Sequence, residues 1–263
     1  MSFSLILSDF KGGFSRWKTW FYLAFLNVKR RYANSVIGPN WTLITNSIFV
    51  VCVALLFSGL NSDTVISFGS FLAFGYITWT LLTDFVMTGN SLFLQERRYL
   101  NNGGVTLTGI ALKFTFTQLL LFAHNIPILV VAFILAKGSL FGLCFALLGY
   151  LVLIFNGFFY LLWVGGICAR FRDITIAIAT VMKLAFFLTP IFWYPDPGGS
   201  SIRTLFAKYN PFHYFLTVIR ESALEGIVSL NAWLVVLGIT FLNVTLSLIL
   251  FPTVKKQIVY WIQ

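Results

Sequence analysis

The chain has 263 residues, 59% of them hydrophobic and only 10% charged. A soluble domain carries roughly 25% charged residues, so this composition excludes a mainly water-facing protein and indicates an integral membrane one, crossed by runs of about 20 apolar residues. The formal charge of +10 lies in the N-terminal segment and in short loops, the pattern of a topology signal rather than of a nucleic-acid face, and no nucleic-acid partner is expected.

The first stretch, MSFSLILSDFKGG, has a very short apolar run without a small-residue cleavage pattern and predicts no removable signal peptide. Residues 14–34 read as a helix. Trp17, Trp20, Phe21, Ala24, Phe25 and Val28 recur at helical spacing, with Arg16, Lys18, Lys29 and Arg30 at the flanks. An aromatic face between cations suits a helix lying in the cytoplasmic headgroup layer; a plain buried helix is the alternative. The collar NVKRRYANSVIGPNW, residues 27–41, follows. Pro39 disfavours helix at Gly38 and is suited to the first turn of the next helix, so the chain can turn there from the interface into the membrane. Trp41 is expected at headgroup level.

Six spans are predicted at 41–60, 69–88, 115–136, 139–168, 175–194 and 227–251, within a single transmembrane domain over 1–263. Six spans put both termini on one side. Lys11, Arg16, Lys18, Lys29, Arg30, Arg31, Arg97, Arg98, Lys113, Arg170, Arg172, Lys255 and Lys256 gather there, against Lys137, Arg203, Lys208 and Arg220 opposite. This bias marks the first side as cytoplasmic.

Between spans two and three, the cytoplasmic loop 89–114 contains SLFLQERRYL, a predicted short helix ended by Asn101-Asn102-Gly103-Gly104. Its Gln95, Glu96, Arg97 and Arg98 form a docking knob for a soluble partner, unless the segment is a solvated connector. The second cytoplasmic loop, ARFRDI at 169–174, presents Arg170, Arg172 and Asp173.

Residues 195–226 predict an outer helical hairpin. Asn210-Pro211 has the form of an N-cap and first helical position, and Gly226 can close the helix. Phe212, Phe215, Leu216, Ile219 and Ala223 share one face; His213, Thr217, Arg220 and Glu221 share the other. The helix is expected to dip back into the membrane as a re-entrant element beside a PDPGG bend, with a surface-lying helix as the alternative.

Catalytic signatures are missing. His124 and His213 form no H-E-x-x-H pair, and there is no G-x-S-x-G turn, D-x-D pair or phosphate-binding loop. His124 reads as a packed residue, and Cys52, Cys144 and Cys168 as small packing residues; no metal and no cofactor are expected on this chain. Asp84 and Lys183 lie inside predicted spans and are placed to pair with each other, too near one surface to form a proton relay.

The collar, the docking helix, ARFRDI and LTPIFWYP…NPFHYFLTVIRE together resemble the permease subunits of ABC-2 type transporters that export O-antigen and capsular polysaccharide. Family collars read R-Y-x-x-S-x-L-G-P-x-W; Arg31, Tyr32, Ser35, Gly38, Pro39 and Trp41 match, with Ile37 in place of leucine. Pro190, Tyr194, Pro195, Asn210 and Pro211 resemble the family's outer hairpin region. The resemblance covers nearly the whole chain, and departs from it where Asn-Asn-Gly-Gly replaces a Phe-Pro step.

The resemblance implies an all-α permease, not an enzyme. Two copies would work with two separate ATPase subunits that bind ATP and Mg, in the cytoplasmic (inner) membrane of the cell. The implied cargo is polysaccharide on undecaprenyl diphosphate. On this reading Trp17, Trp20, Phe21, Arg30, Arg31 and Tyr32 frame a lipid gate; Gln95 to Arg98 with Arg170, Arg172 and Asp173 couple to the ATPase; and Phe49, Phe186, Phe187, Phe192, Trp193 and Tyr194 offer aromatic faces to sugars. Other readings are an exporter of teichoic acid or another glycolipid, an ion-coupled secondary carrier, and a membrane-embedded enzyme on a lipid-linked sugar.

Overall fold

The computed structural model describes residues 2–61, 64–101, 103–195 and 202–262. Asn102 of the expected loop and Asp196 to Gly199 of the PDPGG bend lie outside the described residues. Every regular element among the described residues is helical. In chain order these are α1 Ser2–Ser15, α2 Trp17–Arg31, α3 Asn40–Phe57 with a short 3-10 turn after it, α4 Val65–Gly89, α5 Leu92–Gln95, α6 Arg97–Asn101 and α7 Leu107–Ala123. Then come α8 Ile126–Leu135, α9 Leu140–Arg170, α10 Arg172–Leu188, α11 Ile202–Tyr209, α12 Pro211–Glu225 and α13 Leu230–Trp261.

Helices α3, α4, α9 and α13 are each long and apolar enough to cross a membrane, and the bent pair α7–α8 makes a fifth candidate span. The chain is a multi-pass membrane protein. Three of the expected boundaries shift, each for a local reason. The run 115–136 is two helices inclined at 44°, because Pro127 and Asn125 open a new helix at Ile126, and α7 begins at Leu107 after a Thr106 cap that accepts from the Gly109 N–H at 3.1 Å. The run 175–194 stops being helical at Leu188. Pro190 holds Thr189 extended at ψ 135°, as the residue before a proline prefers. The run 227–251 continues to Trp261 through Pro252, where buried Phe251, Val254 and Ile258 outweigh the missing backbone bond.

Helix α9 is the hub, packed against α4, α7, α10, α12 and α13. Small residues set those approaches: a Cβ at Gly142 would strike the Ser222 carbonyl of α12, one at Gly157 the Phe85 ring of α4, and one at Gly166 the Val254 side chain of α13. Leu161 and Leu162 between them are fully buried. Polar side chains then fasten α9 to α13. Asn156 donates to Thr240 Oγ1 at 2.7 Å, Asn243 donates to the Asn156 carbonyl at 2.8 Å, and Trp163 Nε1 donates to Asn243 Oδ1 at 2.8 Å. Interhelical bonds of this kind hold spans together where the hydrophobic effect does not discriminate.

Helix α1, for which the sequence pattern gave no role, is locked into the bundle. Asp9 is 2% exposed. One of its carboxylate oxygens accepts from the Thr108 N–H at 3.0 Å, and the other lies 3.0 Å from Lys255 Nζ, which also donates to the Leu5 carbonyl at 3.2 Å. Phe10 meets the rings of Phe158, Phe159 and Phe251. One carboxylate thus joins α1 to the start of α7 and to the last turns of α13.

Lys255→Met leaves Asp9 buried with a lone partner and should destabilise the fold by about 1–3 kcal/mol, seen as a lower melting temperature in detergent. The amides of α1 should exchange faster than those of α9. Unchanged exchange in α1 would show that the clamp does not hold it.

Candidate functional site

The collar folds as a corner. Gly38 takes φ 66°, and its N–H donates to Ser35 Oγ at 3.0 Å. Pro39, at φ −61°, opens α3. Tyr32 lies with its hydroxyl 3.3 Å from Thr42 Oγ1, which ties the end of α2 to the first turn of α3. Arg31 stands 5.9 Å from the Tyr32 ring.

Behind this corner is a polar cavity of about 650 Å³ between α2, α3, α4 and α7. Exposed Arg30, Arg31 and Asp84, half-buried Tyr32 and Thr80, and buried Asn46, Gln118 and Asn125 line it. Asn46 Nδ2 donates to Asn125 Oδ1 at 2.9 Å, so the break between α7 and α8 is fastened to α3. His124, beside the break, keeps Nδ1 2.7 Å from the Leu120 carbonyl, the packing role expected of it. Non-helical backbone at membrane depth is tolerated where it lines a wet cavity, and this break does so.

The other expected gate residues divide. Trp20, with Ala24 and Val28, is buried against α7. Its indole N–H donates to the Gly13 carbonyl at 3.1 Å, and its ring covers Gly109. Trp17 and Phe21 remain exposed, at 49% and 42%, with Phe21 edge-on to Phe116. Trp20 is therefore a packing residue, and Trp17 and Phe21 form an outward apolar stripe.

A second cavity of about 450 Å³ shares Thr80 and Asp84 with the first and continues along α3, α4 and α10. Phe49 and Tyr76 stack there at 4.1 Å, opposite Lys183, Phe186 and Phe187. Phe187 belongs also to a third cavity, of about 620 Å³, with Phe192, Trp193, Arg203 and Phe206. Five of the six expected channel aromatics line this run. Tyr194 does not; it packs on Phe71 at 4.1 Å and on Phe68. The ion pairs among the described residues are Lys113–Glu96 and Lys255–Asp9, and the expected Asp84–Lys183 pair is not one of them.

The docking segment is two short helices broken at Glu96, held down by buried Leu92 and Phe93. Glu96 faces inward to Lys113 at 2.7 Å, and Gln95 Nε2 donates to Ser91 Oγ at 2.8 Å. Arg97 and Arg98 are exposed. Arg170, Arg172 and Asp173 are exposed as well, and Asp173 sits in the first turn of α10, where a carboxylate suits the helix dipole. Arg170 lies 5.4 Å from the Trp261 ring. Since α13 also touches α6, the two charged loops meet around the end of that helix.

At the other end of the bundle, Asn210 caps α12 by accepting from the Phe212 N–H at 2.9 Å, and Gly226 ends it at φ 71°. Helix α12 is buried on both faces among α4, α9 and α13, not on one as its amphipathic pattern suggests. Arg220 is 3% exposed. Its Nη1 donates to the Pro190 carbonyl at 2.8 Å, and its guanidinium lies 3.7 Å over the Phe71 ring. Asn210 Nδ2 donates to Thr189 Oγ1 at 2.7 Å, so α12 grips the end of α10 twice.

Asn46, Thr80, Gln118 and Asn125 are the site residues that sequence reasoning passed over. Their signal was present: each is a polar side chain inside an apolar run.

Arg220→Met should remove both the carbonyl bond and the ring contact, lowering stability by about 1–3 kcal/mol. Arg220→Lys should recover only part, since an ammonium does not stack as a planar guanidinium does. Thermal unfolding of the three proteins checks this, and equal melting of Met and wild type would refute it.

No known family model matches the chain. The chain is similar to the O-antigen export system permease protein RfbA of Myxococcus xanthus, 25% identical over 200 residues, which are 72% of this chain and 74% of that protein.

Proposed function

We propose that this chain is the membrane-spanning subunit of an ATP-driven exporter of lipid-linked polysaccharide of the O-antigen or capsule type. The observation that carries the reading is the run of cavities from the cationic corner at Arg30 and Arg31, past Asp84, along the rings of Phe49, Phe186 and Phe187, to Trp193 at the hairpin end. Cations attract a lipid diphosphate at the inner leaflet; flat rings with few fixed hydrogen-bond demands let a sugar chain slide. The similarity to the O-antigen export system permease of Myxococcus xanthus supports the same reading.

In this reading α10 is the sixth span. Its 17 residues are about 26 Å long, and the non-helical Thr189 to Trp193 completes the crossing. Both termini are cytoplasmic, in the inner membrane. Helix α2 lies at the interface with Trp17 and Phe21 toward lipid, and the hairpin of α11 and α12 is re-entrant. A second copy closes the open side of the aromatic run, since one bundle is too small to enclose a glycan. ATP and Mg belong to a separate ATPase, which docks at the exposed Arg97, Arg98, Arg170 and Arg172.

Two measurements test this. A tagged chain purified in mild detergent should bring down a P-loop ATPase at near-equal stoichiometry. Arg97→Glu with Arg98→Glu should release it while leaving the fold intact. Arg30→Ala with Arg31→Ala removes about 1 kcal/mol of attraction per cation and should cut export at least tenfold without affecting assembly. Recovery of the intact chain with no ATPase, and transport that follows a proton or sodium gradient, would favour the ion-coupled carrier.

A further inference from the structure

We infer that the apolar groove between α10 and α13, about 490 Å³ in volume, is a binding site for an anionic glycerophospholipid of the bilayer. One acyl chain lies in the groove and the phosphate sits at Lys256 and Arg172. The site serves the membrane around the chain and does not depend on what the chain transports.

The groove has a closed floor and an open side. Buried Phe85, Leu153, Met182 and Phe215 form the floor, whereas Val181 on α10 and Leu242 on α13 stand at the rim, 58% and 59% exposed. Four side chains of the wall bear polar atoms, and each is already bonded to protein. Asn243 donates to Asn156 Oδ1 at 3.1 Å, Asn156 donates to Thr240 Oγ1, Trp163 donates to Asn243 Oδ1, and the Tyr160 hydroxyl donates to Asn90 Oδ1 at 3.0 Å. The wall therefore offers water little to hold, and an apolar space of this kind stays dry. Left empty, it forfeits the dispersion contacts of its lining. A hydrocarbon chain restores those contacts and asks for no hydrogen bond.

Charge decides which end the headgroup takes. On α13 the groove residues Ile239, Leu242 and Leu246 recur at i, i+3 and i+7, and the same spacing continues through exposed Ile249 and Thr253 to exposed Lys256. Arg170 ends α9 at 5.4 Å from the Trp261 ring, which brings exposed Arg172, the first residue of α10, to the same end of α13. Lys255 is spent on Asp9; against Asp173, the cations Arg170, Arg172 and Lys256 leave this end net positive. Along α10 the groove opens at Ala177, about 8 Å past Arg172, and along α13 at Leu246, about 15 Å from Lys256. One leaflet holds about 15 Å of hydrocarbon, so a chain hung from a phosphate at these cations reaches into the groove. Met182 lines the groove and also the aromatic cavity across α10. A bound chain thus props α10 from behind and fixes the wall that carries Phe186 and Phe187.

The test is native mass spectrometry of the delipidated full chain in mild detergent, with two probes that share their acyl chains: palmitoyl-oleoyl phosphatidylglycerol and palmitoyl-oleoyl phosphatidylcholine. One phosphatidylglycerol per chain should bind, about tenfold more tightly than phosphatidylcholine. Lys256→Gln should weaken phosphatidylglycerol several-fold and leave phosphatidylcholine unchanged. Ala177→Trp, which fills the groove from an exposed position, should remove both lipids and keep the melting temperature. Leu242→Trp, on the facing wall, repeats that measurement if the first variant folds poorly. Equal binding of the two probes, or full retention of lipid by a folded Trp variant, would overturn the site and leave only a loose shell of bilayer lipid. So would a Trp variant that splits a dimer, which gives the groove to a second copy, or a tenfold preference for undecaprenyl phosphate over phosphatidylglycerol, which gives it to the tail of the cargo.

Discussion

A polar group carried to membrane depth must find a partner within the protein or a pocket of water, because lipid offers neither donor nor acceptor. Much of this fold follows from that requirement. Asn156, Thr240, Asn243 and Trp163 satisfy one another and so hold α9 against α13. Asp9 satisfies Lys255 and one amide in the first turn of α7, that of Thr108. Arg220 spends its charge on a carbonyl and a ring. Where the requirement is not met from within, at Asp84, the structure opens a cavity instead of closing over it.

Most of the architecture was legible from hydropathy and punctuation. Pro39 after Gly38 marked the corner, and Asn210-Pro211 with Gly226 marked both ends of α12, since each depends on a local backbone preference. What stayed hidden depends on distant residues. Nothing near Pro252 announces that α13 continues, because the reasons lie in Asp9, some 240 positions earlier, and in the packing of Phe251 and Val254. Nothing near Trp20 says that it covers Gly109 while Trp17 faces outward, since both fit the same aromatic stripe. The candidate site was half visible: its cations stood out in the collar and Asp84 inside a predicted span, whereas its neutral polar groups, Asn46, Thr80, Gln118 and Asn125, were scattered singly through apolar runs.

The two ends of the bundle are built differently. Around the hairpin, α12 is gripped at Thr189 and Pro190 by a cap amide and a guanidinium, so α10, α4 and α12 meet through fixed bonds. Near the corner, α2 holds α7 through the narrow stripe of Trp20, Ala24 and Val28, and its last turn bears only cations and a tyrosine at the cavity mouth. Directed polar bonds join the helices at the hairpin end, and apolar packing joins α2 to α7 at the corner end.

Helix α13, at 32 residues, is about 48 Å long, well beyond the hydrocarbon thickness. It carries its load like a strut, with Trp261 under Arg170 at one tip and α12 beside the other. Pro252 deletes the backbone bond to the Leu248 carbonyl about ten residues from the loaded tip, which leaves the rod stiff along its axis but compliant in bending at that level. Asp9 grips it one turn beyond, through Lys255. A push delivered at Trp261 would thus arrive as a swing about Pro252 and be handed directly to α1, making the first helix of the chain the follower of the last.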